Sequence, residues 1–436
     1  MSASPPDTGS GSPAGPGPQL DLPVSPLGRV KRRGKIRGRL GLMGPAFVAA
    51  VAYIDPGNIA TNFEAGAKFG YTLAWVIVMA NLMAMLVQYL SAKAGLASGK
   101  SLPELCRESF PRTTNFFLWV QAEIVAIATD LAEFVGAAVG LNLLFGVPLF
   151  PAGLITAVIA LAILTLEQRG YRKFELAIVG LLGLVALGFI YDLIAVGDQS
   201  ASGIASGLVP GFSGSDSVLL AIGIIGATVM PHVIYLHSAL TQRRIVPVNE
   251  KERQELLRYT RIDCIVGLGI AGLINLSMLF VAVALFNKTG NTGVDSIEAA
   301  YDGLLTLVGG GAALAFAVAL LASGLSSSSV GTYAGQVVMQ GFIRRSIPLY
   351  LRRMVTMTPA LVVLAVGLPT TQTLVLSQVV LSFGIPFALI PLILVTRKAE
   401  LMGTMVNRPH TTAVATVVAT IISALNVYLI YSTIFG

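Results

Sequence analysis

Hydrophobic runs alternate with short polar segments along almost the whole chain. Most of these runs reach about 20 residues, the length that a helix needs to cross a bilayer. We expect eleven membrane-spanning helices, numbered spans 1 to 11 in chain order, joined by short loops. Their expected limits are 41–67, 72–95, 114–143, 149–166, 173–196, 217–240, 259–286, 311–340, 350–368, 373–396 and 412–434. The pattern therefore predicts an all-α polytopic membrane protein.

Two of these spans are interrupted near their centres by residues that disfavour a continuous helix. Span 1 carries Asp-Pro-Gly-Asn at 55–58, and span 6 carries Met-Pro-His at 230–232. Proline removes a backbone donor, and irregular backbone at membrane depth is tolerated only where it lies inside the protein or lines a cavity. Interrupted spans at matching places in two halves are typical of transporters that bind their substrate near the membrane midplane.

The two interruptions favour two halves of five spans each, at about 40–196 and 217–396, with span 11 added at 412–434. Because five is an odd number, the halves would have opposite orientations in the membrane, which is the inverted-repeat arrangement. Residues 1–39 are expected to form a disordered Pro- and Gly-rich and then basic cytoplasmic tail. A single transmembrane transport domain is expected over 40–436.

Composition supports this interpretation and gives the orientation. Charged residues are 12% of the chain and hydrophobic residues 54%, against roughly 25% charged residues in soluble domains. Of the 29 lysines and arginines, all except Lys68 and Lys288 fall on one side of the expected topology. The positive-inside rule then predicts a multi-pass plasma (inner) membrane protein with a cytoplasmic N-terminus and an external C-terminus.

Two motifs resemble nucleic-acid-binding and nucleotide-binding sequences, but their positions in the chain argue against those functions. The basic run at 29–39 directly precedes span 1, where it favours contact with anionic lipid rather than nucleic acid. The glycine-rich segment 94–101 resembles a nucleotide-binding loop, but it follows a membrane helix instead of a β-strand. We expect no nucleic acid, no nucleotide, no cofactor and no enzymatic activity, so transport would be driven by a gradient.

The residues at the two interruptions form a candidate cation site. Asp55 supplies an anionic oxygen, Asn58 an amide oxygen, and Ala52 and Ala227 are placed to offer unwound backbone carbonyls. Those oxygens alone would suit Ca²⁺ or Mg²⁺. The thioether of Met230 instead favours softer metals such as Mn²⁺, Fe²⁺, Co²⁺ and Cd²⁺. Ordinary helix packing remains the alternative role for Met230.

A stripe of carboxylates in span 3 is the candidate proton route. Glu123, Asp130 and Glu133 fall within an arc of about 80° on one helical face. Buried carboxylates are costly unless they are paired or hydrated, and chains of them mark proton relays. Arg352 and Arg353 at the start of span 9 are candidate partners. Purely structural ion pairs remain the alternative.

Further intramembrane polar residues extend both candidate sites. His232 is a candidate proton carrier at near-neutral pH, with a hydrogen-bonded structural role as the alternative, whereas a structural role is favoured for His237. The amide of Gln378 in span 10 is a candidate additional metal ligand, and Asn275 in span 7 has a possible structural or gating role.

The paired interruptions resemble those of the Nramp family of proton-coupled divalent-metal transporters. The resemblance runs from about Gly41 to the C-terminus and includes Gly-Pro-Ala at 44–46, with Gly44 a possible structural or gating residue. It also includes Thr-Asp-Leu-Ala-Glu-Phe at 129–134 and Gly-Thr-Tyr-Ala-Gly-Gln at 331–336. The resemblance implies a bacterial-type transporter with a leucine-transporter-like inverted-repeat fold and metal bound between spans 1 and 6.

The resemblance also implies roles for individual residues. The implied metal ligands are Asp55, Asn58, Met230, the carbonyls of Ala52 and Ala227, and in some states Gln378. The implied proton route comprises Asp55, His232, Glu133, Asp130 and Arg353.

We therefore expect a secondary transporter that imports Mn²⁺ or Fe²⁺, and also Cd²⁺ and Co²⁺, together with protons by alternating access. The metal would be a transported substrate. The alternatives are an amino-acid or organic-cation carrier on the same fold, because a fold does not determine its substrate, and a metal channel.

Overall fold

A computed structural model of the chain describes residues 26–31, 44–168, 171–242, 244–290 and 296–435, and every regular element in these ranges is helical. Eleven membrane segments appear, in agreement with the eleven expected spans. Span 1 consists of Pro45–Ala52 (span 1a) and Pro56–Phe69 (span 1b), and span 6 of Ser215–Thr228 (span 6a) and Pro231–Thr241 (span 6b). Spans 2 to 5 are Ala74–Ser98, Arg112–Phe145, Leu149–Gln168 and Tyr171–Ala195. Spans 7 to 11 are Glu250–Ala282, Gly310–Ile343, Leu349–Val366, Thr370–Thr396 and Pro409–Phe435.

Length and composition alone identify most of these helices as membrane spans. Eight helical segments in the described ranges are long and apolar enough to cross a membrane, the first of them running from span 1b through span 2. Span 1a is too short by itself, and span 4 counts only as a shorter apolar helix, Leu149–Ile163. Span 9 carries two arginines in its first two turns, Arg352 and Arg353. The chain is thus a multi-pass membrane protein.

The spans pack in two groups of four. Spans 1 and 2 each pack against spans 6 and 7, and spans 3, 4, 8 and 9 form the second group. Spans 3 and 8 occupy equivalent places in the two halves, have 34 residues each, and make the most extensive helix–helix contact in the described chain. Span 10 packs against span 3 of the second group and against spans 1b and 6a of the first, next to the two breaks.

Spans 5 and 11 are the most peripheral of the long apolar helices, with 33% of the apolar window of each buried. Large apolar side chains are exposed along them, for example Leu187 and Ile194 in span 5 and Val417 and Val427 in span 11. Such surfaces suit the hydrocarbon interior of a bilayer.

One element differs from the expectation of a disordered N-terminal tail. Pro26–Lys31 is a short helix, and Leu27 is buried against Leu256, with Ile245 and Tyr259 packed around this contact. Leucine and valine three positions apart, at 27 and 30, give this segment an apolar face that the Pro- and Gly-rich composition obscured. Most of the basic run at 29–39 lies outside the described residues.

Candidate functional site

The two breaks have the same local chemistry, which follows from the position of a proline. In a continuous helix the carbonyl of residue i accepts from the N–H of residue i+4. Pro56 stands four residues after Ala52, and Pro231 stands four residues after Ala227. Because proline has no N–H, neither alanine carbonyl can receive its helical hydrogen bond. Spans 1a and 6a accordingly end at Ala52 and Thr228.

Asp55 and Asn58 organise the start of span 1b. Asp55 is the N-cap residue, and its Oδ1 accepts from the backbone N–H of Asn58 at 2.7 Å. The side-chain Nδ2 of Asn58 also donates to Asp55 Oδ1, at 2.7 Å, and to the carbonyl oxygen of Ala227, at 2.9 Å. Asp55 Oδ2 has no hydrogen-bond partner within the described ranges. Asn58 thus joins the carboxylate of span 1 to the freed carbonyl of span 6.

Two other carbonyls at the span 1 break have donors from neighbouring spans. Asn275 Nδ2 in span 7 donates to the carbonyl of Tyr53 at 2.8 Å, and Ser323 Oγ in span 8 donates to the carbonyl of Ile54 at 2.5 Å. Buried backbone groups need such partners because water does not reach them. Asn275, expected to have a structural or gating role, therefore lies at the break itself.

All the predicted metal ligands are buried. Met230 is the N-cap residue of span 6b, directly before Pro231, and so occupies the same position in its break as Asp55 does in span 1. The buried set is Ala52, Asp55, Asn58, Ala227, Met230 and Gln378, each 0% exposed. The structure thus brings to the two breaks two amides, one carboxylate, one thioether and two proline-freed carbonyls.

Gln378 reaches the site from span 10 because the neighbouring backbone has no side chain there. A Cβ atom added to Gly57 would lie 1.9 Å from Gln378 Nε2, and one added to Gly226 would lie 2.0 Å from the Gln378 carbonyl oxygen. Gln378 Nε2 donates to Ser377 Oγ at 3.1 Å. Glycine at 57 and at 226 therefore permits span 10 to close directly over both breaks.

His232 connects span 6b to span 3. Its Nδ1 lies 3.2 Å from Thr129 Oγ1, and Thr129 precedes Asp130 in the chain. His232 Nε2 has no hydrogen-bond partner among the described residues. His232 therefore contacts span 3 beside the carboxylate stripe, through the Thr129 hydroxyl.

The carboxylate stripe of span 3 faces the two arginines of span 9. Arg352 Nη2 lies 2.7 Å from Glu123 Oε2, and Arg353 Nη1 lies 3.2 Å from Asp130 Oδ1. The Arg353 guanidinium also donates to the carbonyl of Ser328 and to Thr332 Oγ1, and lies over the ring of Phe134. Each arginine is thus paired with one carboxylate of the stripe.

Glu133 differs from its two neighbours in the stripe. Neither of its carboxylate oxygens has a hydrogen-bond partner in the described part of the chain, although the residue is fully buried. A Cβ atom on Gly331 would lie 2.8 Å from Glu133 Oε2 and 3.4 Å from Asp130 Oδ1, so a glycine makes room for both carboxyl groups. A buried carboxyl group without a partner is a candidate to hold a proton.

His237 lies in span 6b and Gly44 directly precedes span 1a, and both are towards the predicted cytoplasmic ends of their spans. His237 Nδ1 lies 3.0 Å from Gln88 Oε1, and Gln88 Nε2 donates to Tyr53 Oη at 2.7 Å. The Gly44 N–H lies 3.1 Å from an oxygen of Asp263, which holds the start of span 1a against span 7. Both residues therefore have structural contacts and neither reaches the ligand set.

Over residues 46–432 the chain matches the family described as natural resistance-associated macrophage protein-like, or Nramp. The chain belongs to the Nramp family. Its members are transporters and not enzymes, as the sequence predicted. In this Nramp chain no group of three or more His, Cys, Asp or Glu residues that could hold a metal is found among the described residues.

Two relatives cover nearly the full length of this Nramp chain. The divalent metal cation transporter MntH of Bacillus subtilis (strain 168) is 53% identical over 403 residues, which are 92% of this chain and 95% of that protein. The divalent metal cation transporter MntH of Deinococcus radiodurans is 50% identical over 401 residues, 92% of either protein.

Solved structures give the fold class. A crystal structure of the Eremococcus coleocola manganese transporter superposes with a TM-score of 0.82 at 33% identity, over 91% of this chain and 87% of that one. MHP1, a nucleobase-cation-symport-1 family transporter, has a TM-score of 0.59 at 15% identity, over 89% and 90%. The second similarity concerns the fold alone. Together they confirm the leucine-transporter-like fold expected for an Nramp protein.

Sequence reasoning missed several residues that support the Nramp site. The sequence predicts no contacts for Thr129, Asp263 or Ser323, whose hydrogen bonds are described above. The rule that a proline at i+4 frees a carbonyl identifies which backbone oxygens need partners, but it does not say which distant side chain supplies the donor.

Proposed function

We propose that this protein is a secondary transporter that imports divalent transition metals, Mn²⁺ and Fe²⁺ and also Cd²⁺ and Co²⁺, coupled to the entry of protons. The observation that carries this proposal is the hydrogen-bonded set of Asp55, Asn58 and the Ala227 carbonyl, which joins two proline breaks in the membrane. We place the protein in the plasma membrane with a cytoplasmic N-terminus, following the distribution of Lys and Arg.

The ligand types support a divalent transition metal as the substrate. Asp55 contributes the only negative charge among the proposed ligands, and the freed carbonyls of Ala52 and Ala227 contribute oxygen dipoles. Spans 1a and 6a both end at the site, so the negative ends of their helix dipoles point towards a bound cation. Met230 adds a soft sulfur that Ca²⁺ and Mg²⁺ bind weakly.

Asn58 needs one adjustment to act as a ligand, whereas Gln378 already has an amide oxygen that is free within the described ranges. The Nδ2 of Asn58 faces Asp55 and Ala227, so rotation of the amide about its last side-chain bond is required to present Oδ1 to a cation. Gln378 Oε1 has no hydrogen-bond partner in the part of the chain that the structure describes, and is free to accept or to ligate. Both amides are neutral, which suits a site that exchanges its cation.

The proton route we propose runs from Asp55 and His232 to Glu133, Asp130 and Arg353, with Glu123 and Arg352 at its cytoplasmic end. Two contacts support this route. His232 lies against Thr129, which precedes Asp130, and Asp130 forms an ion pair with Arg353. A cation bound at Asp55 favours the loss of its proton, because opposite charges nearby stabilise the carboxylate. Metal binding would therefore release a proton into the stripe.

The burial of every proposed ligand supports alternating access rather than a continuous pore. Movement of the short halves at the two breaks would expose the site to one side at a time. This distinguishes a carrier from a channel, in which the site would remain connected to both sides.

The test is Mn²⁺ uptake into proteoliposomes with the internal pH recorded, for the wild-type chain and for Asp55→Asn and Glu64→Gln. Wild type should take up Mn²⁺ and acidify the interior, and Asp55→Asn should do neither. Glu64→Gln is the matched control, because Glu64 lies in span 1b in an ion pair with Lys68 away from the break.

Absence of Mn²⁺ uptake by correctly folded wild-type protein would contradict the metal proposal. Uptake of labelled amino acids by the same vesicles would then favour the organic-substrate carrier. Mn²⁺ uptake without acidification would support metal transport and contradict the proposed coupling to protons.

A further inference from the structure

Span 10 carries two prolines inside its helix, Pro386 and Pro391, and each removes one helical hydrogen bond. The carbonyls freed in this way are those of Ser382 and Phe387, four residues earlier in each case. Both carbonyls have donors on other spans. Asn426 Nδ2 in span 11 donates to the Ser382 carbonyl at 2.9 Å, and Tyr235 Oη in span 6b donates to the Phe387 carbonyl at 3.3 Å.

The contact between Asn426 and Ser382 is reciprocal. Ser382 Oγ donates to Asn426 Oδ1 at 2.9 Å. The Asn426 amide therefore both donates a hydrogen bond to Ser382 and accepts one from it. Both side chains are buried. A buried amide in a peripheral membrane helix is costly unless it is hydrogen-bonded, and here one turn of span 10 supplies both a donor and an acceptor.

That turn of span 10 forms the wall of the proposed metal site. Gln378 lies one helical turn before Ser382 and reaches over Gly57. A Cβ atom on Gly226 would lie 2.0 Å from the Gln378 carbonyl oxygen and 3.0 Å from the Ser382 nitrogen. The backbone of 378–382 is therefore in close contact with span 6a at Gly226 and is hydrogen-bonded to Asn426 of span 11.

We propose that Asn426 is a positioning residue for the metal site, and that span 11 acts through it to hold Gln378 at the two breaks. This rests on the proposed transport function and assigns a role to the helix that lies outside the two five-span halves. Asn426 does not touch the metal. It fixes the part of span 10 that proline has freed from its own helical hydrogen bonding.

The test compares wild type with Asn426→Leu, Asn426→Gln, Gln378→Ala and the double variant Asn426→Leu/Gln378→Ala. Leucine has the same branching at Cγ as asparagine, although it is larger, and it cannot hydrogen-bond, whereas glutamine keeps both the donor and the acceptor. Ser423→Ala is the control in the same helix, because the Ser423 hydroxyl donates only within span 11, to the Ala419 carbonyl. The measurements are the KM and maximal rate of Mn²⁺ uptake in proteoliposomes, and Mn²⁺ binding to the purified protein.

Asn426→Leu should raise the KM for Mn²⁺ by about threefold to tenfold, the range expected when one or two hydrogen bonds that position a ligand are lost. The maximal rate should change by less than about twofold, because an effect on ground-state binding appears mainly in KM. Asn426→Gln should recover most of the wild-type KM, and Ser423→Ala should match wild type.

The double variant separates a positioning role from general helix packing. If Asn426 acts through Gln378, the double variant has the same KM as Gln378→Ala alone. Effects that multiply in the double variant, or a folded Asn426→Leu protein with the wild-type KM, would overturn the proposal. If wild type itself neither binds nor carries Mn²⁺, the transport function fails instead, and the two failures are thereby distinguished.

Discussion

The side-chain amide nitrogen of Asn275 lies 2.8 Å from the backbone carbonyl oxygen of Tyr53 and donates a hydrogen bond from span 7 to the break in span 1. Its Oδ1 accepts in turn from Asn62 Nδ2 at 2.9 Å. The Tyr53 carbonyl belongs to the unwound segment and lies where water does not reach. Asn275 therefore supplies the polar partner that a continuous helix would have supplied itself.

Replacement of Asn275 by leucine should destabilise the protein by about 1–3 kcal/mol, the usual cost of an unsatisfied buried carbonyl. The measurement is thermal unfolding of the purified protein in detergent. Ser277→Ala is the control in the same helix, since the Ser277 hydroxyl donates only to the Ile274 carbonyl of its own span. Equal stability of Asn275→Leu and wild type would show that the Tyr53 carbonyl finds another partner.

Pro231→Ala should weaken Mn²⁺ transport without unfolding the protein. Alanine restores an N–H that can donate to the Ala227 carbonyl, so this carbonyl would be used within the helix and less available to a cation. We expect the KM for Mn²⁺ to rise by about threefold to tenfold, the equivalent of roughly one hydrogen bond. Pro359→Ala in span 9, a helix whose proline lies away from both breaks, is the control and should retain the wild-type KM.

Met230→Ala should change metal preference more than it changes Mn²⁺ uptake. Loss of the thioether removes the soft ligand, so Cd²⁺ should lose about tenfold in its preference over Ca²⁺, or about 1.4 kcal/mol. Competition of Cd²⁺, Ca²⁺ and Mg²⁺ against Mn²⁺ uptake measures this directly. An unchanged order of competition would assign Met230 to packing alone, the alternative left open by the sequence.

Gly226→Ala should prevent span 10 from closing over the breaks. The added methyl group would meet the Gln378 carbonyl at 2.0 Å, and this oxygen is part of a helix backbone that cannot turn aside. Mn²⁺ uptake should fall by about tenfold or more. Gly180→Ala in span 5 is the control, because no atom outside its own stretch of helix lies within 4 Å of its Cβ position. Alanine there should be neutral or stabilise the helix by about 0.5–1 kcal/mol.

Glu133→Gln should flatten the pH dependence of Mn²⁺ uptake. With an inward proton gradient, wild-type uptake should rise as the external pH falls, because lower pH supplies the coupled proton. Glutamine keeps the shape of glutamate but cannot titrate, so a relay through position 133 would stop responding to pH. Uptake by Glu133→Gln that rises with acidity as steeply as in wild type would exclude this residue from the route.

The fold could be predicted from the sequence because it depends on local patterns, namely apolar runs long enough to span a membrane and prolines that interrupt them. Apolar runs gave all eleven spans, although span 7 begins at Glu250, nine positions before its expected start at 259. The early start is a polar helical extension beyond the expected span: the segment begins with an Asn249 cap and carries charged residues, which a search for apolar length does not include. Charge alternation and helix propensity extend such helices into water.

The candidate site was predictable only where one residue carries the signal. Asp55, Met230 and the prolines are unusual at membrane depth, so composition alone marks them. The contacts of Asn275, Ser323 and Asn426 depend on which spans become neighbours in three dimensions. The sequence around a serine or an asparagine in an apolar helix does not show which residue it will hydrogen-bond. No spacing rule, for example, links position 426 to position 382.

The hydrogen bonds of Asn58 have a consequence for the rate of turnover. Its amide group already donates to Asp55 Oδ1 and to the Ala227 carbonyl, so a cation at the proposed site would compete with two hydrogen bonds for these oxygens, whereas Asp55 Oδ2 has no partner in the described ranges. The net gain on loading is smaller than the ligand set alone suggests, and those same bonds re-form when the cation leaves. A carrier must release what it captures, and a ligand that can return to its neighbours keeps the site from becoming a trap.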